Sequence, residues 1–323
     1  MNLLLSSFFV VYKPIFIVLA IITSVVFLAL LFALILFLKI FYSKPRKKKD
    51  KDYCPLPSDK RYKPYYSKMI EWIKIASTFD HQKYNIISDD GLKLCGKFYK
   101  FYDDAPIEIM FHGYRGDSVR DLSGGIIRAK KVGHNILAVD NRASGESEGS
   151  VITFGIKEHS DCLKWINFVI DNVEKDAKII LSGVSMGAST VLMASGCKLP
   201  KNVIGIIADC GYSSPKEIIK EVIKGMHLPA SLIFPFVWLG AKIFGRFNLT
   251  EFSPKEALKK TTIPVFFIHG DKDDFVPLYM SEINFESCSS KKKKLVITTN
   301  AWHALCYMVN EQEYEKEVIE FFK

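Results

Sequence analysis

Residues 178–195, KIILSGVSMGASTVLMAS, confine the possible fold more tightly than any other stretch of the chain. The run Ile179-Ile180-Leu181 suits a buried parallel strand, and Ala188, Val191, Leu192, Met193 and Ala194 suit a helix packed back against it. Between them, Gly183-Val184-Ser185-Met186-Gly187 must turn the chain within a few residues. A serine at such a turn is strained, and only small neighbours two residues either side leave room for it. Its hydroxyl then stands clear of the backbone, while the following helix aims free N–H groups and a positive dipole end at the same spot. A second copy of the pattern, Gly145-Glu146-Ser147-Glu148-Gly149, has carboxylates flanking its serine and no helical run after it, so it reads as a loop.

A hydroxyl is a poor nucleophile near neutral pH and needs a histidine base, itself held in one tautomer by a carboxylate. Residues 263–270, IPVFFIHG, read as another buried strand, and the loop after it offers Asp271, Asp273 and Asp274, of which Asp273 is the chosen acid. Residues 294–300 form a last strand, followed by His303, the only histidine beyond His269 and hence the candidate base. Asp209, closing the strand 203–208, is the rival acid. His112 reads as a brace for its own loop, and Asp140 and Arg142 as supports of the same rim. His81, His134, His159 and His227 lack metal-ligand spacing, so no metal site is expected, and no organic cofactor is implied.

With these motifs in place the chain resembles the α/β-hydrolases, and within them the bacterial serine hydrolases grouped with FrsA-like and dipeptidyl-peptidase-related esterases. The resemblance covers residues 84–323. It rests on His112-Gly113-Tyr114-Arg115-Gly116, on the segment from Asp140 to Ser147, on the Ser185 turn, on the segment from His269 to Pro277, and on His303. It implies an order of nucleophile, acid and histidine in Ser185, Asp273 and His303, with the backbone N–H groups of Tyr114 and Met186 as an oxyanion hole. Ala143 departs from it, standing where the family pattern usually has glycine. The implied activity is cleavage of carboxylic esters through an acyl-enzyme, with a peptidase or amidase as runner-up. A serine at the turn disfavours dehalogenase and epoxide-hydrolase chemistry, for which the resemblance implies an aspartate. A catalytically inactive, membrane-tethered binding protein on the same fold is the reading from another class.

Ahead of the hydrolase region, residues 15–38 run for 24 positions with only Thr23 and Ser24 polar and no charge. At about 1.5 Å per residue this spans a hydrocarbon core of roughly 30 Å with some tilt. A secretory signal has a shorter apolar region and a small-x-small cleavage site, and neither fits. Lys39, Lys44, Arg46, Lys47, Lys48, Lys49 and Lys51 follow the run, whereas only Lys13 precedes it. That asymmetry predicts the amino terminus outside and the hydrolase on the cytoplasmic side. Much of the net charge of +9 thus sits where anionic head groups would attract it. These basic residues are not interleaved with aromatics and no recognition-helix motif appears, so nucleic acid is not an expected partner. All seven cysteines follow the apolar run without close pairing, as reduced thiols in a cytoplasmic domain would.

The expected organisation is a short extracytoplasmic segment (1–14), a transmembrane helix (15–41), an extended basic linker (42–66) and one α/β catalytic domain (67–323). Strand candidates near 84–89, 92–100, 106–111, 135–140, 178–183, 203–208, 264–268 and 294–299 alternate with helical stretches near 118–131, 155–173, 186–197, 278–287 and 310–322. This predicts an eight-stranded, mostly parallel sheet with helices on both faces. An amphipathic helix carrying Met69, Ile70, Trp72, Ile73 and Ile75 precedes the first strand. The insertion at 211–262 contains an apolar stretch with Phe234, Phe236 and Trp238, read either as a helical lid lining an acyl pocket or as two helices completing the core. The sequence leaves the oligomeric state open.

Overall fold

The computed structural model describes residues 2–43 and 56–323. Helix α1 spans Asn2–Ile40, α2 Tyr66–Ser77 and α3 Ser123–Lys131. Then come α4 Glu158–Phe168, α5 Met186–Ala194, α6 Pro215–Gly225 and α7 Ala230–Ile243. The last helices are α8 Pro254–Leu258, α9 Tyr279–Ser287, α10 Cys306–Val309 and α11 Glu311–Phe322. The strands are β1 Gln82–Ile87, β2 Lys93–Tyr99, β3 Ile107–Phe111, β4 Asn135–Val139, β5 Ile179–Val184, β6 Val203–Asp209, β7 Val265–Gly270 and β8 Lys293–Thr298.

They form one eight-stranded sheet in the order β1-β2-β4-β3-β5-β6-β7-β8. β2 runs antiparallel to β1 and β4, and the remaining pairs are parallel. The central strands β3, β4, β5 and β7 are buried along almost their whole length, as the continuous apolar runs require of a sheet covered on both faces. On one face Leu181, Val191 and Leu192 share a core with Trp165 and Ile166 of α4. On the other, Ile180, Ile207 and Phe266 pack with Trp72 of α2 and Val318 and Phe321 of α11. Loops at the carboxyl ends of β3, β5, β7 and β8 converge at the top of this sheet, where an open α/β sheet offers its crevice.

Helix α1 has two parts. From Tyr12 to Ile40 it is long and apolar enough to cross a membrane, and Phe16, Ile22, Phe27 and Leu28 are exposed along it. Its last turns are instead docked: Ala33, Phe37 and Phe41 are buried. Gly240 of α7 makes the crossing possible, since a Cβ there would lie 2.6 Å from the Ala33 carbonyl oxygen. Phe41 packs edge-on against Phe154 and Phe247. The chain then runs beside residues 150–152, with Ile152 N–H donating to Phe41 O and Ser43 N–H to Ser150 O.

The linker expected to be extended and exposed departs from that expectation where it is described. Residues 60–65 form a 3-10 turn capped by Asp59 and strapped to the domain. Arg61 pairs with Asp274 and lies over the Trp302 ring, and Tyr62 Oη donates to His303 O at 3.0 Å. The basic cluster from Lys44 to Lys51 and Cys54 lie outside the described residues. The other six cysteines are free thiols.

Candidate active site

Ser185 joins β5 to α5 with φ 56° and ψ −117°, a conformation that costs an L-residue strain energy. Two glycines make it possible. A Cβ at Gly183 would sit 2.3 Å from the Gly187 backbone, and one at Gly187 would sit 2.0 Å from the Phe111 carbonyl oxygen. The Ser185 N–H donates to Asp209 O at 2.8 Å, fixing the turn against the next strand.

His303 lies in the loop after β8, between Asn300 and Ala304, both at positive φ. Its Nε2 is 2.8 Å from Ser185 Oγ, and its Nδ1 is 2.7 Å from Asp273 Oδ2. A carboxylate only accepts, so the imidazole proton sits on Nδ1 and leaves Nε2 free to accept from the serine hydroxyl. Phe275 lies against the ring with centroids 5.0 Å apart, and Tyr62 holds the backbone from the other side.

Asp273 is held in turn by the N–H groups of Phe275 (3.0 Å) and Val276 (2.8 Å), which both donate to Oδ1. His269 Nε2 donates to Val276 O at 2.8 Å and lies 3.2 Å from Asp273 Oδ2. Burial pushes the Asp273 carboxyl upward. The positive charge available at His303 and the hydrogen bonds from His269 and His303 outweigh that, and its pKa lies well below the usual carboxylate range.

The other acid candidates are engaged elsewhere. Asp209 accepts from Tyr314 Oη at 3.2 Å, while its Oδ1 has no hydrogen-bond partner among the described residues, and burial raises its pKa. Asp271 accepts from the Asn300 N–H at 2.7 Å, and Asp274 pairs with Arg61. Cys210 is buried with its sulfur within 4.8 Å of ligand atoms of Asp273 and His303. Both His303 nitrogens are already bonded there, and burial, the first cause, together with the nearby aspartates pushes the thiol pKa far up.

Tyr114 follows β3 in a loop that approaches Ser185, since a Cβ on Gly113 would be 3.5 Å from Ser185 Cβ. No acceptor for the Tyr114 N–H occurs among the described residues. Met186 is the first residue of α5, where a helix leaves its N–H groups without internal partners. Around this loop, His112 Nε2 accepts from the Asn141 N–H at 3.0 Å, and Asp140 accepts from Ser118 N–H and Glu146 N–H. Arg142 grips Asp161 through two 2.7 Å bonds and reaches Asp90 at 2.9 Å. Ala143 has φ 59°, so this alanine adopts the backbone state that favours glycine. In the second Gly-x-Ser-x-Gly copy, Ser147 Oγ donates to Asp140 O, as a loop brace would.

A cavity of about 300 Å³ opens at Ser185 and His303. Phe234, Phe236 and Trp238, expected to line the substrate pocket, do not line it. Phe234 is buried beneath Lys220 of α6, Phe236 packs edge-on against Phe32 of α1, and Trp238 donates from Nε1 to Asn248. The apolar stretch of α7 is divided between contacts with α1, through Phe236 and Gly240, and contacts with Lys220 and Asn248. The cavity wall comes instead from Leu56, Pro57, Tyr62, Met69, Trp72 and Ile73, which precede the sheet. Only the amphipathic period of α2 signalled part of this wall in the sequence. Nothing local marked Tyr62, and the motif that His269 opens gave it no role of its own.

No family model matches the chain. It is 27% identical over 304 residues to the uncharacterized protein YqkD of Bacillus subtilis strain 168, covering 94% of each chain. It is 25% identical over 166 residues to the uncharacterized membrane protein YNL320W of Saccharomyces cerevisiae, covering 51% of this chain and 53% of that one. Among solved structures it resembles the esterase Pf2001 of Pyrococcus furiosus, with a TM-score of 0.61 and 26% identity over 77% of this chain and 93% of that one. The chain has the α/β-hydrolase fold, its similar solved structures include esterases, and the likeness supports a hydrolase of this fold.

Proposed function

We propose that this protein is a serine esterase, anchored in a membrane by α1, that cleaves carboxylic esters with Ser185 as nucleophile. The observation that carries the reading is the continuous hydrogen-bond chain from Asp273 through His303 to Ser185, at 2.7 and 2.8 Å. A site kept only as a binding scaffold has no need of a strained serine with its base and acid in register.

In the proposed mechanism His303 Nε2 takes the Ser185 proton as Oγ attacks the ester carbonyl. Asp273, kept ionised by its two backbone donors and two histidines, steadies the imidazolium that forms. The N–H groups of Tyr114 and Met186 receive the oxyanion, with the dipole of α5 adding to the field. His303 then returns the proton to the leaving alkoxide, and a water activated by the same imidazole releases the acid. Esters are favoured because an alkoxide leaves more readily than an amine, and because a similar solved structure is an esterase. Membrane attachment is supported by the exposed apolar length of α1 and by the yeast relative's description as a membrane protein. The basic residues after the helix favour a cytoplasmic catalytic domain.

The test is full-length protein in detergent, treated with a fluorophosphonate probe and assayed on p-nitrophenyl butyrate. Covalent labelling and turnover that both vanish in Ser185→Ala are expected. Labelling that persists in that variant refutes the assignment.

A further inference from the structure

We propose that the cavity beneath α2 receives the hydrocarbon chain of the ester substrate, and that the segment ahead of the sheet, Leu56 to Ile73, sets the longest chain accepted. The inference rests on the reading of Ser185 as nucleophile and adds to it the chemistry and position of the bound chain.

The cavity begins at Ser185, His303 and Phe275 and continues between α2 and α3. Its charged lining residues are already paired within the protein. Arg128 Nη1 donates to Glu108 at 3.0 Å, Arg120 Nη2 to Asp121 at 3.1 Å, and Asp209 accepts from Tyr314. Burial also holds the Asp209 carboxyl toward its neutral form. A charged ligand would therefore meet no unpaired counter-charge among the described residues to offset its desolvation. An uncharged, apolar group meets no such cost. Three methionines, Met69, Met110 and Met308, contribute to the lining, and their flexible thioethers conform to the many rotamers of an alkyl chain better than a rigid aromatic socket would.

The size is limited from the α2 side. Trp72 is stacked so closely on Gly124 that a Cβ there would lie 2.5 Å from the indole, and Gly125 backs onto Met110. The floor cannot recede, because Met110 and Gly125 belong to the packed β3 and α3. About 300 Å³ lies at the small end of the range for ligand pockets, which favours butyryl to octanoyl chains over palmitoyl. The wall is fixed to the reacting groups: Tyr62 bonds the His303 carbonyl, and Lys68 Nζ donates to Met308 O at 3.4 Å. Chain selection and catalytic geometry thus share a support.

The chain could belong to the acyl group or to the alcohol of the ester, and the assay separates them. Full-length protein in detergent is given p-nitrophenyl acetate, butyrate, octanoate and palmitate, and in a second series the acetates of ethanol, butanol, octanol and hexadecanol. In one series kcat/KM should peak at the intermediate lengths, about tenfold or more above both ends. Ile73→Trp, which fills the cavity from α2, should abolish that peak, lowering the ratio of intermediate-chain to acetate kcat/KM by about tenfold. Met69→Trp serves as an independent filling variant, and fluorophosphonate labelling of Ser185 reports that each variant retains its site. Flat profiles in both series, or an unchanged length preference in labelled variants, overturn the proposal while leaving the nucleophile intact. Wild-type protein that neither labels nor turns over any ester sinks the underlying reading together with it.

Discussion

The Tyr114 hydroxyl donates a 2.6 Å hydrogen bond to the Ile40 carbonyl, tying the loop beside Ser185 to the last turn of the apolar helix. Arg115 adds two bonds, from Nη2 to Lys39 O at 2.7 Å and to Tyr42 O at 3.1 Å. The Lys39 and Ile40 carbonyls are among the groups a helix terminus leaves without internal partners, so side chains of the loop act as the cap. The proposed oxyanion donor is thus positioned by a helix whose other end is free to lie in lipid. Losing the tie should misplace the Tyr114 N–H without removing it.

Tyr114→Phe therefore should lower kcat on p-nitrophenyl butyrate by roughly three- to tenfold, the equivalent of about 1 kcal/mol for one neutral hydrogen bond, with KM nearly unchanged. An interaction felt mainly in the transition state lowers kcat in this way. A rise in KM at constant kcat would instead mark the contact as ground-state packing. Steady-state kinetics on the full chain in detergent decide between them.

Asp273→Asn and Asp209→Asn should separate the two acid candidates by rate. The first removes the acceptor that fixes the His303 tautomer and should reduce kcat by as much as about 10⁴. Asp209 does not touch His303 through any hydrogen bond described, and its replacement should leave kcat within about tenfold of wild type. Comparable losses in both would remove the distinction drawn from the geometry.

Much of this site could be read from residue order because its signals are local. Gly183 and Gly187 announce the turn at Ser185, and Asp273 and His303 each follow an apolar strand within a few residues. The alternation of runs also gave the eight strands, with boundaries displaced by a residue or two. What could not be read depends on which surface meets which. Phe236 and Trp238 are as apolar as a substrate pocket demands, yet hydrophobicity does not say whether a face meets ligand or another helix. The close approach at Gly240 and Ala33 and the Phe32–Phe236 contact set α7 against α1. Tyr62 and Pro57 lie in a stretch without apolar period, and their place in the cavity wall follows from the Arg61–Asp274 and Tyr62–His303 contacts, more than two hundred residues apart in sequence.

The same Asp209→Asn variant should change stability with a defined sign. Burial raises the folded-state pKa of Asp209 above its unfolded value, so the protonated carboxyl favours the fold at low pH. That contribution is complete below the ordinary aspartate value of about 3.9 and is lost as pH rises through the raised one. Asparagine mimics the neutral group and does not titrate. The Tm of the variant should match wild type near pH 4, exceed it by a margin that grows as pH rises to the raised pKa, and keep a constant lead above that, by thermal denaturation across the range. A variant less stable than wild type at every pH would show that Asp209 is required as a carboxylate.

Ala143 offers a test of strain away from the reacting atoms. Its φ of 59° places a Cβ-bearing residue in the left-handed region, which costs roughly 1–2 kcal/mol relative to an ordinary conformation. Glycine removes that cost but gives back about 0.5–1 kcal/mol through the greater freedom of the unfolded chain. Ala143 is also buried, and its Cβ contributes to the apolar cluster around Ile152 and Phe154, so the gain is limited further. The net expectation for Ala143→Gly is a stabilisation of up to about 1 kcal/mol, seen as a Tm higher by up to about 2–4 °C. Activity should be unchanged, because Asp140 and Arg142, just ahead of Ala143, keep their partners. A fall in Tm would mean that packing of this methyl group outweighs backbone strain, and that the alanine is retained for its contacts.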